Sequence, residues 1–347
     1  MKTNHLHRRI ISKVSAGIFC LLSIPPAALA QQPADQIIAE INRTKQTAAS
    51  IKLHEENSRQ YLIELETAEQ YLKSGYLLTS LYQLQLVQLG LMSDEYRLAR
   101  SELQKKGIDA FEQDWRKLGT QLADRERRVS YKQSPRLPAA VKAMIESALT
   151  QIQPYYVSGR LYALNTTIND GLVYLGRSSA CVDFALFGQR LRFTQTPPLR
   201  LRSLAPELTK LEAEVVRAFS QPGATSQQPS YIRTNVTLKM AQELDKEKRY
   251  YGALHQYLAA SRAFAAITIP EALPPISELK SESEKVRARL ASSNIDNSIG
   301  LLYWQLAQSS IDRAAQGINE QENLKRATVI FRGVMPRYFD YINGVKK

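Results

Sequence analysis

The spacing of apolar residues is the feature of this sequence that most restricts its fold. Ile37, Ile41, Thr44, Ala48 and Ile51 recur at alternating intervals of four and three residues, which places them on one face of an α-helix. The same spacing returns in many later segments, whereas alternating β-branched runs bounded by turn pairs, which predict strands, do not occur. We therefore predict an all-α fold in which helical hairpins pack as two lobes or as one array.

Two proline-bearing stretches interrupt the helical pattern in the second half of the chain. They read TQTPPLRLRSLAP from Thr194 and SQPGATSQQPS from Ser220. Small polar residues mixed with proline and glycine are typical of linkers. We therefore predict an N-terminal helical lobe at 33–194, a connector with one short helix at 195–230, and a C-terminal helical lobe at 231–347.

The first thirty residues have the features of a secretory signal peptide. A basic start, MKTNHLHRRIISK, precedes the short apolar core VSAGIFCLLSIPP, and AALA supplies the small residues of a cleavage site. We expect cleavage after Ala30 and a periplasmic or secreted protein. A lipoprotein signal at Cys20 is an alternative that the bulky neighbour Phe19 disfavours. An uncleaved anchor is a second alternative, and Pro25 and Pro26 disfavour it because they interrupt a helix.

The cysteine and histidine content excludes several classes of function. Removal of the signal peptide leaves Cys181 as the one cysteine, so we expect a buried thiol and a fold stabilised by its core. His54 and His255 stand apart, and the common zinc, P-loop and dinucleotide motifs are missing. We therefore predict no metal and no cofactor. No later window is a clean apolar run of about eighteen residues, so we expect no transmembrane segment after signal removal.

Positive charge is concentrated in two segments of this basic chain. The sequence carries 46 basic and 33 acidic residues, and basic residues outnumber acidic ones locally at 116–142 and 190–202. Such segments bind acidic proteins, anionic lipids or wall polymers, although a solvated surface is the plain alternative. Nucleic acid is not expected for an exported protein. The candidate contact residues in these segments are Arg125, Arg127, Arg128, Lys132, Arg136, Arg190, Arg192, Arg200 and Arg202.

Two stretches of the chain are similar to each other without a gap. Placing Ala68 over Ala241 aligns GYLLTSLYQLQLVQLGL with KRYYGALHQYLAASRAF. Their order of small and large residues resembles the tetratricopeptide repeat, a pair of antiparallel helices of about 34 residues. The family's characteristic tryptophan and closing proline are absent. The residues that carry the resemblance are Ala241, Leu244, Tyr250, Ala253, Tyr257 and Ala260, and more loosely Ala68, Tyr71, Gly75, Leu77, Ser80, Leu84 and Val87.

This resemblance implies a right-handed helical array with an extended surface for a protein or peptide partner. Tyr250 and Tyr257 are then candidate groove residues, with packing inside the core as their other interpretation. We therefore predict an exported, non-catalytic helical scaffold that binds a protein or peptide of the cell envelope. An assembly factor that contacts anionic lipid or wall polymer through the basic segments is the first alternative.

A second, fainter resemblance gives an enzymatic alternative. The stretch IESALTQIQPYYVSG resembles the first motif of lytic transglycosylases, in which a glutamate followed by serine acts as general acid. Glu146 and Ser147 match that pair, but RLYALNTTIND stands where the family has a glycine- and glutamine-bearing motif. A general acid also needs an enclosed apolar site that raises its pKa. A cell-wall-cleaving enzyme centred on Glu146 is therefore the other alternative.

Overall fold

The computed structural model describes residues 26–51, 55–194, 197, 199–221, 224–269 and 272–345. These residues form α-helices packed on one another, and none of them belongs to a β-strand, so the all-α prediction is confirmed. Residues 1–25 of the predicted signal peptide lie outside this description. The helices are α1 (Pro26–Ser50), α2 (Glu55–Lys73), α3 (Leu77–Ala99), α4 (Leu103–Lys106), α5 (Ile108–Glu126), α6 (Ala139–Asn165), α7 (Ile168–Gly188), α8 (Ala205–Phe219), α9 (Gln228–Lys246), α10 (Tyr250–Thr268), α11 (Ile276–Ala291), α12 (Ser298–Ala315), α13 (Glu320–Thr328) and α14 (Met335–Val345). A π-helical turn, Val329–Val334, joins α13 to α14.

The apolar stripe of α1 faces the core as its spacing predicts. Ile37, Ile41 and Ala48 are fully buried, and Thr44 satisfies its hydroxyl by donating to the Glu40 carbonyl at 2.8 Å. Burial of each isoleucine side chain is worth about 2 kcal/mol relative to its exposure. This burial, rather than intrinsic helix propensity, fixes α1 on the molecule.

The hairpins α2–α3 and α9–α10 have the same register along the chain. Both α2 and α9 contain 19 residues, and the interval from Lys73 to Lys246 equals that from Leu77 to Tyr250. The interval is the one that the alignment of Ala68 with Ala241 predicts. The ungapped similarity in the sequence therefore corresponds to an equal pairing of helices in the structure.

The turns of these hairpins also match in detail. Tyr76 N–H donates to the Tyr71 carbonyl and Arg249 N–H donates to the Leu244 carbonyl, both at 2.8 Å. One residue before each of these donors, the backbone adopts a positive φ, 80° at Gly75 and 57° at Lys248. Glycine adopts this conformation without a steric penalty, whereas Lys248 does not.

The two halves of the chain cap each other's helices. The third residue of α3, Thr79, donates its N–H to Gln305 Oε1 of α12 at 3.3 Å. The third residue of α10, Gly252, donates its N–H to Glu146 Oε2 of α6 at 2.7 Å. Glu146 and Gln305 are each the eighth residue of their helix. The halves are therefore interlocked by equivalent contacts, and one continuous apolar cluster includes residues of both predicted lobes.

Helix α8 lies within the segment predicted as a connector. Its buried face, Leu208, Leu211 and Val215, forms part of the same core, and the helix packs against α9. Asp245 at the end of α9 accepts the Leu204 N–H at 2.7 Å, which fixes the entry to α8. In the described part of the chain, every helix is too short or too polar to cross a bilayer.

Candidate functional site

A glutamine at the end of α7 joins the two basic segments. Gln189 Oε1 accepts the Ser130 N–H at 2.7 Å, and its Nε2 donates to the Arg128 carbonyl at 3.2 Å. The loop that follows α5 is therefore held against the loop that follows α7. Residues that are about sixty positions apart in the sequence lie side by side at this end of the bundle.

A second glutamine fixes the other loop to α1. Gln36 Nε2 donates to the Arg190 carbonyl at 3.3 Å, and Gln36 Oε1 accepts the Arg192 N–H at 3.0 Å. Gln36 therefore binds the backbone of Arg190 and Arg192 and leaves their guanidinium groups uninvolved. We call this surface the basic end and define it by Arg128, Lys132, Arg190 and Arg192.

The cations of the basic end form no ion pair among the described residues, although Lys132 is close enough to Glu146 to favour the charged form of that carboxyl. All four side chains are exposed, and within the described residues their one side-chain hydrogen bond runs from Arg190 Nε to the Leu186 carbonyl at 2.9 Å. The C-terminal dipoles of α5 and α7 offset part of this charge, about half a charge per helix. The remaining positive charge is available to an anionic partner.

Neighbouring arginines of the sequence prediction are already paired within the protein. Arg125 donates to Ser179 Oγ at 3.0 Å and forms an ion pair with Asp183, and Arg127 pairs with Asp124. These pairs stabilise the ends of α5 and α7, so Arg125 and Arg127 contribute less free charge than the sequence led us to expect.

The predicted contacts at 200–202 differ in the same way. Arg200 is exposed, and the preceding Leu199 carbonyl accepts the Tyr251 hydroxyl at 3.3 Å. Arg202 forms an ion pair with Glu207 and lies 5.0 Å from the ring centroid of Tyr341. Arg202 therefore holds its loop in place, whereas Arg200 is an exposed cation next to the point where this loop contacts Tyr251 of α10.

The remaining candidates occupy three different environments. Arg136 is exposed in the loop before α6, and Tyr250 is partly exposed at the first residue of α10. Tyr257 is 3 % exposed and lies in the core, outside any surface that a partner reaches in this conformation. Its hydroxyl faces Arg337 of α14 and lies near Glu207 and Glu214 of α8, so the core interpretation that the sequence offered beside the groove describes its position.

Glu146 is buried and bound at both of its oxygens. It is 2 % exposed, accepts the Tyr131 hydroxyl at Oε1 at 3.0 Å, and accepts the Gly252 N–H at Oε2. Burial raises the pKa of the Glu146 carboxyl, while these two hydrogen bonds act in the opposite direction. The arrangement ties the loop before α6 and the first turn of α10 to α6.

Ser147, the neighbour of Glu146, lines a cavity between α3, α6, α7 and α10. The cavity has a volume of about 100 Å³. We call it the four-helix cavity, and its lining consists of Tyr82, Gln85, Leu86, Leu89, Ser147, Ala148, Gln151, Ala180, Cys181, Phe184, His255, Gln256 and Ala259.

Two titratable groups of the four-helix cavity, Cys181 and His255, are uncharged at neutral pH. Burial raises the pKa of the Cys181 thiol to about 12 and lowers the pKa of His255 to about 4, with Arg262 adding to the latter effect. Tyr303 donates its hydroxyl to the His255 carbonyl at 2.9 Å and fixes that residue from α12. Cys181 is thus a buried thiol, as the sequence predicts.

A wider groove lies where the turn of the first hairpin meets α11 and α12. Its volume is about 560 Å³. Trp304 Nε1 donates to the Ser283 carbonyl at 3.1 Å, and the Tyr76 hydroxyl donates to Asp312 at 2.5 Å. These hydrogen bonds join residues that line the groove or lie beside it, and the bond from Tyr76 to Asp312 connects the two halves of the chain. We therefore interpret the groove as a structural junction between the halves.

Sequence reasoning did not identify Gln36, Gln189 or the glutamines of the four-helix cavity. The one sequence feature that could have pointed to them is a glutamine next to apolar positions of a predicted helix.

Across the described residues, no group of three or more His, Cys, Asp or Glu is arranged to hold a metal ion. No protein-family model matches the sequence, and no characterised protein or solved structure matches it.

Proposed function

We propose that this protein is an exported, non-catalytic helical scaffold that binds an acidic protein or peptide of the cell envelope through its basic end. The observation that carries the proposal is the pairing of two sequence-distant basic loops by Gln189, which gathers four exposed cations that form no ion pair among the described residues. The envelope location rests on the signal-peptide pattern of the first thirty residues.

Charge complementarity favours an acidic partner at this surface. Exposed cations steer an anionic partner and set its orientation, and their contribution weakens as salt screens them. The loops that carry the cations are fixed by side-chain amides to α1 and α7, so little ordering entropy is lost when a partner binds.

The position of Glu146 supports the non-catalytic part of the proposal. Glu146 occupies the same helix position as Gln305, and each accepts the N–H of the third residue of a hairpin helix. A glutamine cannot act as a general acid, yet it performs the same capping in the other half. A structural role therefore accounts for the burial and hydrogen bonding of Glu146.

The proposal is tested by capture from an envelope extract with residues 31–347 as bait. The test variant combines Arg128→Gln, Lys132→Gln, Arg190→Gln and Arg192→Gln. The matched control combines Lys210→Gln, Arg217→Gln, Arg233→Gln and Lys239→Gln, four exposed basic residues of α8 and α9 that form no ion pair among the described residues. Both variants lose the same charge, so a difference between them reports position rather than net charge.

We expect the native bait and the control to retain one protein at low salt, and the test variant to lose it. Binding of the native protein is expected to weaken as ionic strength rises. Equal retention by all three baits would exclude the basic end as the contact. Retention of anionic lipid or wall fragments in place of a protein would instead assign the same surface to an envelope assembly factor.

A further inference from the structure

We infer that the four-helix cavity is a binding site for a neutral carboxamide group, of the kind found in an acetamido sugar or an amide side chain. The inference rests on polar groups that surround the cavity and have no partner within the described residues. It concerns a different surface from the basic end, so either proposal can fail without the other.

The first such group is the hydroxyl of Ser147. Ser147 is 4 % exposed, and its Oγ makes no hydrogen bond to any described residue. Buried hydroxyls are nearly always paired, commonly with the carbonyl four residues earlier in a helix. Thr150 of the same helix follows that pattern, with its Oγ1 donating to the Glu146 carbonyl at 3.0 Å. The Ser147 hydroxyl is thus an unpaired donor in the wall of the cavity.

Three glutamines from three helices add matching groups. Gln85 of α3, Gln151 of α6 and Gln256 of α10 line the cavity, and within the described chain their amides make no hydrogen bond. Elsewhere in the fold the amides of Gln88 and Gln305 are bonded to other side chains or to the backbone. Each free amide offers donors and an acceptor, which is the pattern that a carboxamide ligand complements.

The charge and size of the cavity narrow the class of ligand. No Asp, Glu, Lys or Arg is among the lining residues, so a charged ligand would lose its hydration without a compensating ion pair. Leu89 and Phe184 give the cavity an apolar wall that suits a methyl group. A volume of about 100 Å³ accepts a group of the size of an acetamide.

The chemical specificity is tested with three small probes by ligand-observed NMR on residues 31–347. The probes are N-methylacetamide, methyl acetate, which lacks the N–H donor, and acetate, which carries a charge. We expect saturable binding of N-methylacetamide, binding of methyl acetate about fivefold to tenfold weaker, and none of acetate. Equal signals from all three probes, or no saturable amide binding, would overturn the inference, and ordered water would then be the occupant of the cavity.

The location is tested with two substitutions on one helix. Gln151→Leu removes a cavity amide, whereas Gln153→Leu makes the same change at an exposed position outside the cavity. We expect Gln151→Leu to weaken N-methylacetamide binding about fivefold to tenfold and Gln153→Leu to leave it within twofold. Ser147→Ala, which removes one unpaired hydroxyl, is expected to act like Gln151→Leu. An equal effect of both leucine variants would place the binding elsewhere.

The source of the carboxamide is distinguished by two larger probes. N-acetylglucosamine presents an acetamido group on a sugar, and butyramide presents a primary amide like that of a glutamine side chain. The larger probe that binds more tightly than N-methylacetamide identifies the source of the carboxamide. This gain in affinity is expected to be lost in Gln151→Leu. If neither larger probe binds the native protein, the inference that the cavity takes an acetamido sugar or an amide side chain is contradicted.

Discussion

The two junctions at which the halves cap each other differ in their chemistry. At the start of α3, Thr79 meets the neutral amide of Gln305 with an N–H to oxygen distance of 3.3 Å. At the start of α10, Gly252 meets the carboxylate of Glu146 at 2.7 Å, and Tyr131 donates to the second oxygen. The same position in the fold is therefore filled by an amide in one half and by an acid in the other.

The difference shows what a buried acid requires of its surroundings. A Cβ at Gly252 would lie 2.8 Å from the Glu146 Cβ, so the close approach depends on glycine. The Glu146 carboxylate also needs Tyr131 because a buried charge without sufficient donors is costly. The neutral amide of Gln305 carries no charge to compensate, and its partner position does not require glycine, since it is occupied by Thr79. The acid of this junction is thus more tightly integrated into the fold, and this distinction leads to four predictions.

Glu146→Ala is expected to have the largest effect on stability. The substitution leaves the Gly252 N–H and the Tyr131 hydroxyl buried without an acceptor, and it removes packed atoms from α6. We expect the free energy of unfolding to fall by about 4 kcal/mol. Chemical denaturation followed by circular dichroism measures this loss. A loss below about 1 kcal/mol would mean that the junction contributes little.

Lowering the pH is expected to destabilise the protein because His255 becomes protonated more readily in the unfolded chain than in the folded protein. His255 of α10 is the residue that the repeat alignment matches with Tyr82 of α3. The ring centroids of these residues are 5.8 Å apart. The pKa of His255 is lowered to about 4 in the folded state, while the unfolded chain takes up the proton near 6.5. The unfolded state therefore binds more protons between these values, and stability falls as the pH falls from 6.5 to 4, by about 3 kcal/mol in all.

Denaturation curves at pH 7, 6, 5 and 4.5 check this prediction. His255→Gln is the control variant, because it cannot take up a proton in this range. Its stability is expected to vary much less over the same pH interval. If the native protein and His255→Gln have parallel pH profiles, the imidazole is not the group responsible.

Gln305→Ala is expected to cost less than Glu146→Ala. It leaves the Thr79 N–H and the Thr79 hydroxyl, which lie 3.3 and 3.5 Å from Gln305 Oε1, without that acceptor, but no buried charge is involved. We expect a loss of about 1.5 kcal/mol under the same denaturation conditions. A loss equal to that of Glu146→Ala would show that the two junctions are energetically equivalent and that the acid has no special place.

Lys248→Gly is expected to have the smallest effect, and it is a gain. Lys248 holds a φ of 57° at the turn where the other hairpin has Gly75. Relief of the steric penalty slightly exceeds the entropy that glycine adds to the unfolded chain, so we expect a stabilisation of about 0.5 kcal/mol. The reciprocal change Gly75→Ala is expected to destabilise. A loss of stability in Lys248→Gly would show that the lysine side chain makes a compensating contact.

The helical fold was predictable because helix formation leaves a local pattern. The stripe of Ile37 and Ile41 is buried as predicted, and the interval from Ala68 to Ala241 recurs at the helix bounds. The equivalence of α6 and α12 was not predictable from the sequence. Glu146 and Gln305 are equivalent because each accepts an N–H from a hairpin helix, whereas the sequences around them are not similar.

The candidate site was only partly predictable for the same reason. Counting charges locates the basic segments, but whether a cation is paired depends on contacts such as that of Arg125 with Asp183 on another helix. The joining of the two loops depends on Gln189, whose bonds reach about sixty residues along the chain. Pairwise contacts at such separations leave no periodic pattern in the sequence.

The most direct measurement of the central claim is partner capture by Glu146→Gln beside the four-site variant of the basic end. Because glutamine caps the equivalent junction, Glu146→Gln is expected to fold and to retain the partner as the native protein does, while the four-site variant loses it. Loss of the partner, or loss of a cell-wall-cleaving activity, in a folded Glu146→Gln protein would contradict the account and assign the function to the acid.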